Sequence, residues 1–392
     1  MGDNRRMIHL DANASTPIRA EVLEAMLPWL RDGYANPSGT HREAKRARQA
    51  IEEARSQVAS WLGALPEEIV FTSGGTESVN TALRSLDRNA GAGHGLVSAI
   101  EHSAVLRCAE MLEREVMLVP VDAGGRLEMD RLAQGLAGAA FVSVMTANNE
   151  TGVIQPIGEV CALAHAHGVP VHTDAVQAAG KIPFQVRELG VDLASFSAHK
   201  FHGPKGVGAL YVRCGTAFTP LLWGGSQEGG RRSGTENTAG IVGMGAAAAL
   251  MRQLQAGNSH SALANLRDAF ENKLLDELQG VTVNGDLRHH LPNTSHLSFD
   301  GCEAAGLLIL LDEAGIACSA GSSCMSGKQR PSHVQFAMGI DETRARSSLR
   351  FSFSTLNTMG EAFAAAVMVK RAVEKLRHVQ GSGIGPVQVY CT

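Results

Sequence analysis

The sequence predicts an α/β fold: a large domain with a mostly parallel sheet flanked by helices, then a smaller α+β C-terminal domain. Three observations carry this. Apolar β-rich runs alternate with helix-period runs through most of the chain. The length, 392 residues, suffices for two domains. After the polar, glycine-containing stretch QLQAGNSHS (253–261), the regular alternation gives way to short strands between helices. The expected division is an N-terminal segment over 1–20 packing with the small domain, a large domain over 21–257, and a small domain over 258–392.

Each element has its own signal. Ala44, Ala47, Ile51, Ala54, Val58 and Trp61 recur at steps of three and four, and the pattern stops at Gly63, which predicts an amphipathic helix over 42–62. Strands are expected at EIVFTS, HGLVSAI, EVMLVPV, AFVSVMTA, VPVHTDAV, LASFSA and GALYV, with helical segments such as GEVCALAHAHG between them. The helix ending near Met251 leads to the connection at 253–261. Beyond it come a helix, the short strands VTVNG, TSHLSF and SLRFSF, and a final helix with Phe363, Ala366, Val373 and Leu376 inward. The tail after Val379 reads as irregular or docked on another surface.

Composition narrows the function. Hydrophobic residues make up 44% and charged residues 19%, the balance of a soluble globular protein. The net charge of −4, without long runs of one sign, argues against nucleic acid or an anionic membrane as the main partner. No apolar stretch approaches membrane-spanning length. The start, MGDNRRMIHLDANAST, lacks the apolar block of a signal peptide, so a cytoplasmic location is expected. The seven cysteines are Cys108, Cys161, Cys214, Cys302, Cys318, Cys324 and Cys391. Their odd count and the absence of any CxxC argue against a disulfide scaffold and a structural zinc site.

Four local patterns point to chemistry. Lys200, in SAHKFHGPKG (197–206), directly follows a strand end inside a Ser/His/Gly-rich turn, an unusual place for a solvated lysine. Asp174, in VHTDAVQ, ends an apolar run where a parallel-sheet site would lie; a buried carboxylate there needs a cationic partner, or else it caps a helix. Gln177 follows three residues on and has a donor to offer a ring oxygen. In FTSGGTES, glycines before a helix let backbone N–H groups approach an anion, so a phosphate fits on Gly75 and Thr76; a tight βα turn capped by Thr76 or Ser73 is the simpler reading. This is not a P-loop, because GxxxxGK[ST] is absent. His102, in EHSAV, follows a strand and can stack on a ring or move protons. An amine for a Schiff base, an acid for a pyridine nitrogen, a phosphate cradle and a stacking ring together make up what a pyridoxal 5′-phosphate site needs.

The order of these motifs resembles the class V aminotransferase-like branch of the fold-type I enzymes, and within it the cysteine desulfurases of the NifS/IscS kind. The resemblance runs over nearly the whole chain: DANASTP, GTES, EHSAV, ANNETG, HTDAVQ, SAHKFHGPKG, RRSGTEN, SAGSSCMSG, PSHV and SLRFSFS. It implies pyridoxal phosphate as cofactor, with Lys200 forming the Schiff base, Asp174 facing the pyridine nitrogen, Gln177 the ring hydroxyl, and His102 stacking. Thr76, Ser197 and His199 match phosphate ligands, and Thr235 matches a residue that reaches the phosphate from the neighbouring subunit of a homodimer. Asn149 and Arg350 match the groups that hold the carboxylate of L-cysteine, and a planar guanidinium suits that task.

Cys324 separates this family from its relatives. Its surroundings, ACSAGSSCMSGKQRPSHV, are small and flexible residues unsuited to a packed core, and Cys318 is the competing candidate at a strand end. KQR replaces the SLE common before PSHV, and basic side chains near a thiol favour the thiolate. The implied product is alanine and a persulfide on Cys324, for a sulfur-acceptor protein such as an iron–sulfur scaffold. The rivals are a selenocysteine lyase, an aminotransferase or decarboxylase, which need no Cys324, and a non-catalytic pyridoxal-binding scaffold. The loop WGGSQEGGRRSGT reads as a dimer-interface segment, and His289–His290 as a solvated turn rather than a metal site.

Overall fold

The computed structural model describes residues 7–320 and 332–381. Cys324 and Cys391 lie outside the described residues. Along the chain the strands are β1 (Ile8–His9), β2 (Ile69–Thr72), β3 (His94–Ser98), β4 (Val116–Val119), β5 (Ala139–Ser143) and β6 (Val171–Asp174). They continue with β7 (Leu193–Ser197), β8 (Gly208–Val212), β9 (Val281–Val283), β10 (Thr294–Phe299), β11 (Ile316–Ala317) and β12 (Ser348–Ser352). The main sheet has seven strands in the order β2-β8-β7-β6-β5-β3-β4. Four of its pairings are parallel, and β8 runs antiparallel to β2 and β7. The expected mostly parallel sheet is therefore present.

Helices cover both faces because its central strands are apolar on both sides. On one face, Ile51, Val58 and Trp61 of the helix Arg42–Leu62 and Met244, Ala247 and Ala248 of the helix Thr238–Ala256 pack with Phe196 and Tyr211. On the other, Val79, Leu83 and Leu86 of the helix Gly75–Asn89 pack with Val97, Phe141 and Leu210. The helix over 42–62 has the bounds its spacing predicts, and left-handed Gly63 ends it. No helix among the described residues is long and apolar enough to cross a membrane.

A separate core gathers Ile8 and Leu10 with Leu263, Phe270, Leu307, Phe351 and Val369. Around it lie the antiparallel sheet β12-β10-β9 and the parallel pair β1-β11. Ile8 and Leu10 thus pack among residues from beyond position 260.

One reading of this region is given a shape and another is corrected. QLQAGNSHS, read as a connection, is largely helical: one helix continues to Ala256 and the next, Ser259–Glu277, begins at once, leaving only Gly257 and a left-handed Asn258 between them. Gln253 and Ser261 are exposed, whereas Gln255 is half-buried and bonds Trp61 and the Ile182 carbonyl. In the final helix Phe363 faces outward, 47% exposed. The inward stripe is Ala362, Ala365, Ala366, Val369, Ala372 and Val373, whose small side chains let this helix approach Ser259–Glu277 closely.

The loop expected at a dimer interface is anchored from below. Glu228 is buried in a left-handed conformation and takes both arms of the Arg55 guanidinium, at 2.8 and 2.7 Å. The same carboxylate accepts from the Phe71 backbone N–H at 2.8 Å. Glu228→Ala leaves the buried Arg55 with Glu52, through Nε, and the Ile69 carbonyl, and we expect it to destabilise the fold by roughly 1.5–3 kcal/mol, the cost of losing hydrogen bonds to a charged group, as measured by denaturant unfolding. A loss within the range of ordinary surface substitutions would show that water enters and solvates Arg55.

Candidate active site

The parallel strands deliver their C-terminal ends to one edge, and the candidate residues sit there. Asp174 is the last residue of β6, and Ser197 the last of β7, followed by one tight turn carrying His199 and Lys200. β3 leads through a short turn to His102, and β2 through a glycine turn to the helix beginning at Gly75. Beyond β5 the chain runs on to Asn149. A cavity of about 130 Å³ is walled by Gly75, Thr76, His102, Asn149, Asp174 and Gln177. Ser197, His199 and Lys200 complete it.

Asp174 is buried, and its Oδ1 accepts from the Val176 N–H at 2.9 Å. Burial pushes its pKa up, against the pull of that N–H, His102 and Lys200. Lys200 donates to the carbonyls of Asn13 and Ala14, each at 2.8 Å. Burial first and the Arg350 cation second lower its pKa to about 8, against Asp174 and Asp11. It is therefore an amine that can be neutral under mild conditions. His102 caps its helix, Nδ1 accepting from the Ala104 N–H at 3.1 Å, so a neutral ring carries its proton on Nε2. His199 contacts Ser15 Oγ through Nδ1 at 3.2 Å, and burial holds its pKa at about 4, with Lys200 and Lys205 acting the same way.

The helix start at Gly75 has Gly74 as N-cap and no side-chain cap, so neither Ser73 nor Thr76 caps it. A Cβ at position 75 would strike Val176 Cγ2 at 2.9 Å, so only bare backbone fits there.

Two candidates are placed differently from the rest. Thr235 is exposed and does not line the cavity of its own chain; its loop is tied to the first helical turn by Arg232, which donates to Glu77 at 2.8 and 3.1 Å. Arg350 is buried beside the cavity, not in its wall, bonded to Asp11 at 2.6 Å and to the Asn149 carbonyl at 2.9 Å, with Nε unpartnered among the described residues. Cys318 is half-buried just after β11, and burial, with Asp11 adding to it, pushes its thiol up to about 12. His289 bonds Asp286 at 3.0 Å in an exposed turn, whereas His290 is turned inward, donating from Nε2 to the Thr151 carbonyl and accepting from Arg267 at Nδ1.

The sequence reading missed three residues. Asn13 bonds Lys181, Thr294, Asn293, Asn149 and Ser352, and its carbonyl takes Lys200 and Gln177. Lys181 is buried against Asn13 and Gln177. Glu101, next to His102, is fully buried, bonded to the Met145 N–H, with one oxygen unpartnered; burial and nearby Asp174 push its pKa well up. The signals were a polar DANAS inside a packing segment and a lysine four residues beyond Gln177.

The sequence profile of the family "Aminotransferase class-V" matches residues 8–362. The chain belongs to that family. A cysteine desulfurase IscS of Dictyoglomus turgidum is 42% identical over 381 residues, covering 96% of each chain. Its likeness therefore lies with the cysteine desulfurases of the family. A solved NifS-like protein superposes with a TM-score of 0.87 at 37% identity, over 95% of this chain and 100% of the other. A structure titled "SspA in complex with cysteine" gives a TM-score of 0.78 at 35% identity, over 89% and 99%.

Lys200, in the cavity wall, should outpace the other lysines in condensing with a small aldehyde in the cofactor-free protein, because the attack needs a neutral amine that the aldehyde can reach, and Lys181 is buried outside the cavity. The rate, read by borohydride trapping and peptide mass spectrometry, should rise with pH and level off above about 8. Arg350→Gln should move that midpoint upward and Asp174→Asn downward, since each removes a charge that acts on the ammonium. A midpoint in the ordinary lysine range would contradict the assigned environment.

Proposed function

We propose that this chain is a pyridoxal phosphate enzyme that takes sulfur from L-cysteine and carries it on Cys324. The observation behind this is one cavity that joins a depressed lysine, a buried carboxylate and an uncapped helix start. The cysteine desulfurases among its relatives and the neighbour solved with cysteine support the substrate.

The residues fit the cofactor. Bare backbone at Gly75 and the helix N-terminus suit a phosphate. Asp174 wants a cationic partner, which a protonated pyridine nitrogen supplies. In this reading Gly75, Thr76, Ser197 and His199 hold the phosphate, joined by Thr235 of the partner subunit in a homodimer. Lys200 makes the covalent link, His102 stacks on the ring, and Gln177 donates to its hydroxyl. When bound, the cofactor supplies an electron sink that loosens the bonds at the substrate α-carbon.

The chain's own groups do the rest. Asn149, in the cavity wall, and Arg350, behind it, orient the substrate carboxylate, Arg350 turning to it from its bonds to Asp11 and the Asn149 carbonyl. Lys200 Nζ, near neutrality at a pH of about 8, takes the α-proton and returns it. His102 offers a proton from Nε2. The Cys324 thiolate attacks the substrate sulfur: an S–S bond forms, the C–S bond breaks, and its electron pair stays with carbon, which protonates to alanine. Cys318 is a poor rival, since its pKa of about 12 leaves almost no thiolate at neutral pH. The persulfide then passes to a sulfur-acceptor protein in the cytoplasm, an iron–sulfur scaffold being the usual kind.

Cys324→Ala should keep the yellow cofactor-bound form yet lose alanine and sulfide production by several orders of magnitude, the cost of removing a covalent nucleophile. Cys318→Ala should keep most activity. Brief exposure to L-cysteine should add one sulfur to the Cys324 peptide by mass spectrometry. Sulfur on Cys318 instead, or wild-type turnover by Cys324→Ala, refutes the nucleophile. A selenocysteine lyase would show itself by retaining selenium release in the same variant.

A homodimer should appear in sedimentation, with Thr235→Ala weakening cofactor retention. An active monomer at working concentration is the contrary result.

A further inference from the structure

Lys181 follows β6 by one short turn and is buried, 5% exposed, yet it does not line the cavity. Buried lysines usually face a carboxylate. This one does not: its amine donates to two amide oxygens, Asn13 Oδ1 at 2.6 Å and Gln177 Oε1. The charges acting on it, Lys200 and Arg350, have its own sign, and with burial they push its pKa well below the ordinary lysine value. A neutral amine keeps two N–H groups, one for each oxygen.

The surrounding bonds settle which way each amide faces. Asn13 O and Asn149 O are main-chain carbonyls, which only accept. Gln177 must therefore turn Nε2 to Asn13 O, at 3.0 Å, and Asn13 must turn Nδ2 to Asn149 O, at 3.2 Å. Their oxygens then both meet Lys181. Asn13 Oδ1 has a second donor in Asn293. For Gln177 Oε1, Lys181 is the sole donor among the described residues. Asn13 takes one N–H of Gln177 Nε2, and the other remains for a ligand in the cavity that Gln177 lines.

We propose that Lys181 is a positioning residue: it holds the Gln177 amide in the one orientation that offers an N–H to an oxygen on the cofactor ring. This rests on the reading of the cavity as the pyridoxal phosphate site. Without Lys181, a buried carbonyl oxygen loses its only donor, and the amide is released to turn.

The holoenzyme reports this through its colour. A donor on the ring oxygen draws negative charge away from the proton on the nitrogen joining Lys200 to the cofactor. Loss of that donor strengthens the hold on the proton, so the colour change moves to higher pH. Wild type, Lys181→Met, Gln177→Leu and the double variant are loaded with pyridoxal phosphate, and visible absorbance is titrated against pH. Each single variant should raise the midpoint by roughly half a pH unit or more. The double variant should go no further than Gln177→Leu alone, because Lys181 acts through Gln177. An unmoved midpoint in Lys181→Met, or shifts that add, overturns the proposal. Wild type that takes up no colour fails before any substitution and overturns the cofactor reading as well. Lys181→Gln guards against a Lys181→Met that does not fold: its amide still offers Gln177 Oε1 an N–H, so its midpoint should stay within about half a pH unit of wild type. A rise as large as that of Gln177→Leu shows that a donor at 181 does not hold the Gln177 amide.

Discussion

Asn13 makes hydrogen bonds through every polar atom it has, and two separate cores meet in them. Its N–H and Nδ2 reach Ser352, Thr294 and Asn149, while its two oxygens take Asn293, Lys181, Gln177 and Lys200. Buried polar networks of this kind tolerate no missing member, because each orphaned group pays the full loss of its water. The position of Lys200 and the orientation of Gln177 are therefore set by a residue that itself belongs to neither strand nor helix.

The sheet explains why the remaining groups converge. Parallel strands aim all their C-terminal ends one way, so Asp174, Ser197 and the turn residues His102 and Lys200 need only short excursions to face one another. Strand ends also place groups at the border between apolar interior and open cavity. That border depresses Lys200 and elevates Asp174 at once, since burial strips each of water and outweighs the opposing pull that each charge exerts on the other.

Much of this was legible in the sequence. The helix over 42–62 and the main-sheet strands followed from periodicity, because their burial is one-sided or complete and so leaves a clean pattern. Of the cavity wall, Gly75, Thr76, His102, Asp174, Gln177 and Lys200 could be named from their places at strand ends and turns, while Ser197, His199 and Asn149 came from the family resemblance. What was not legible has physical causes. The stretch at 253–261 reads as a connection, and its polar composition does not reveal that the connection is mostly helix. Phe363 was set inward by its hydrophobicity, although the close helix contact there admits only small residues. Asn13 and Lys181 were passed over because their importance lies in partners hundreds of residues away in sequence or hidden behind Gln177. Such contacts have no period.

The pairing of β1 with β11, and of Asn13 with Ser352, bears on how the protein comes into being. Synthesis proceeds from the first residue, so Asn13 leaves the ribosome long before Asn293, Thr294 and Ser352 exist. Ile8 and Leu10 likewise wait for Phe351 to enclose them. The large sheet can assemble meanwhile, but a nascent chain stopped short of residue 352 has no complete dock for the Lys200 amine. Completion of the cavity thus waits until the segment around Ser352 has been made and has closed on Asn13.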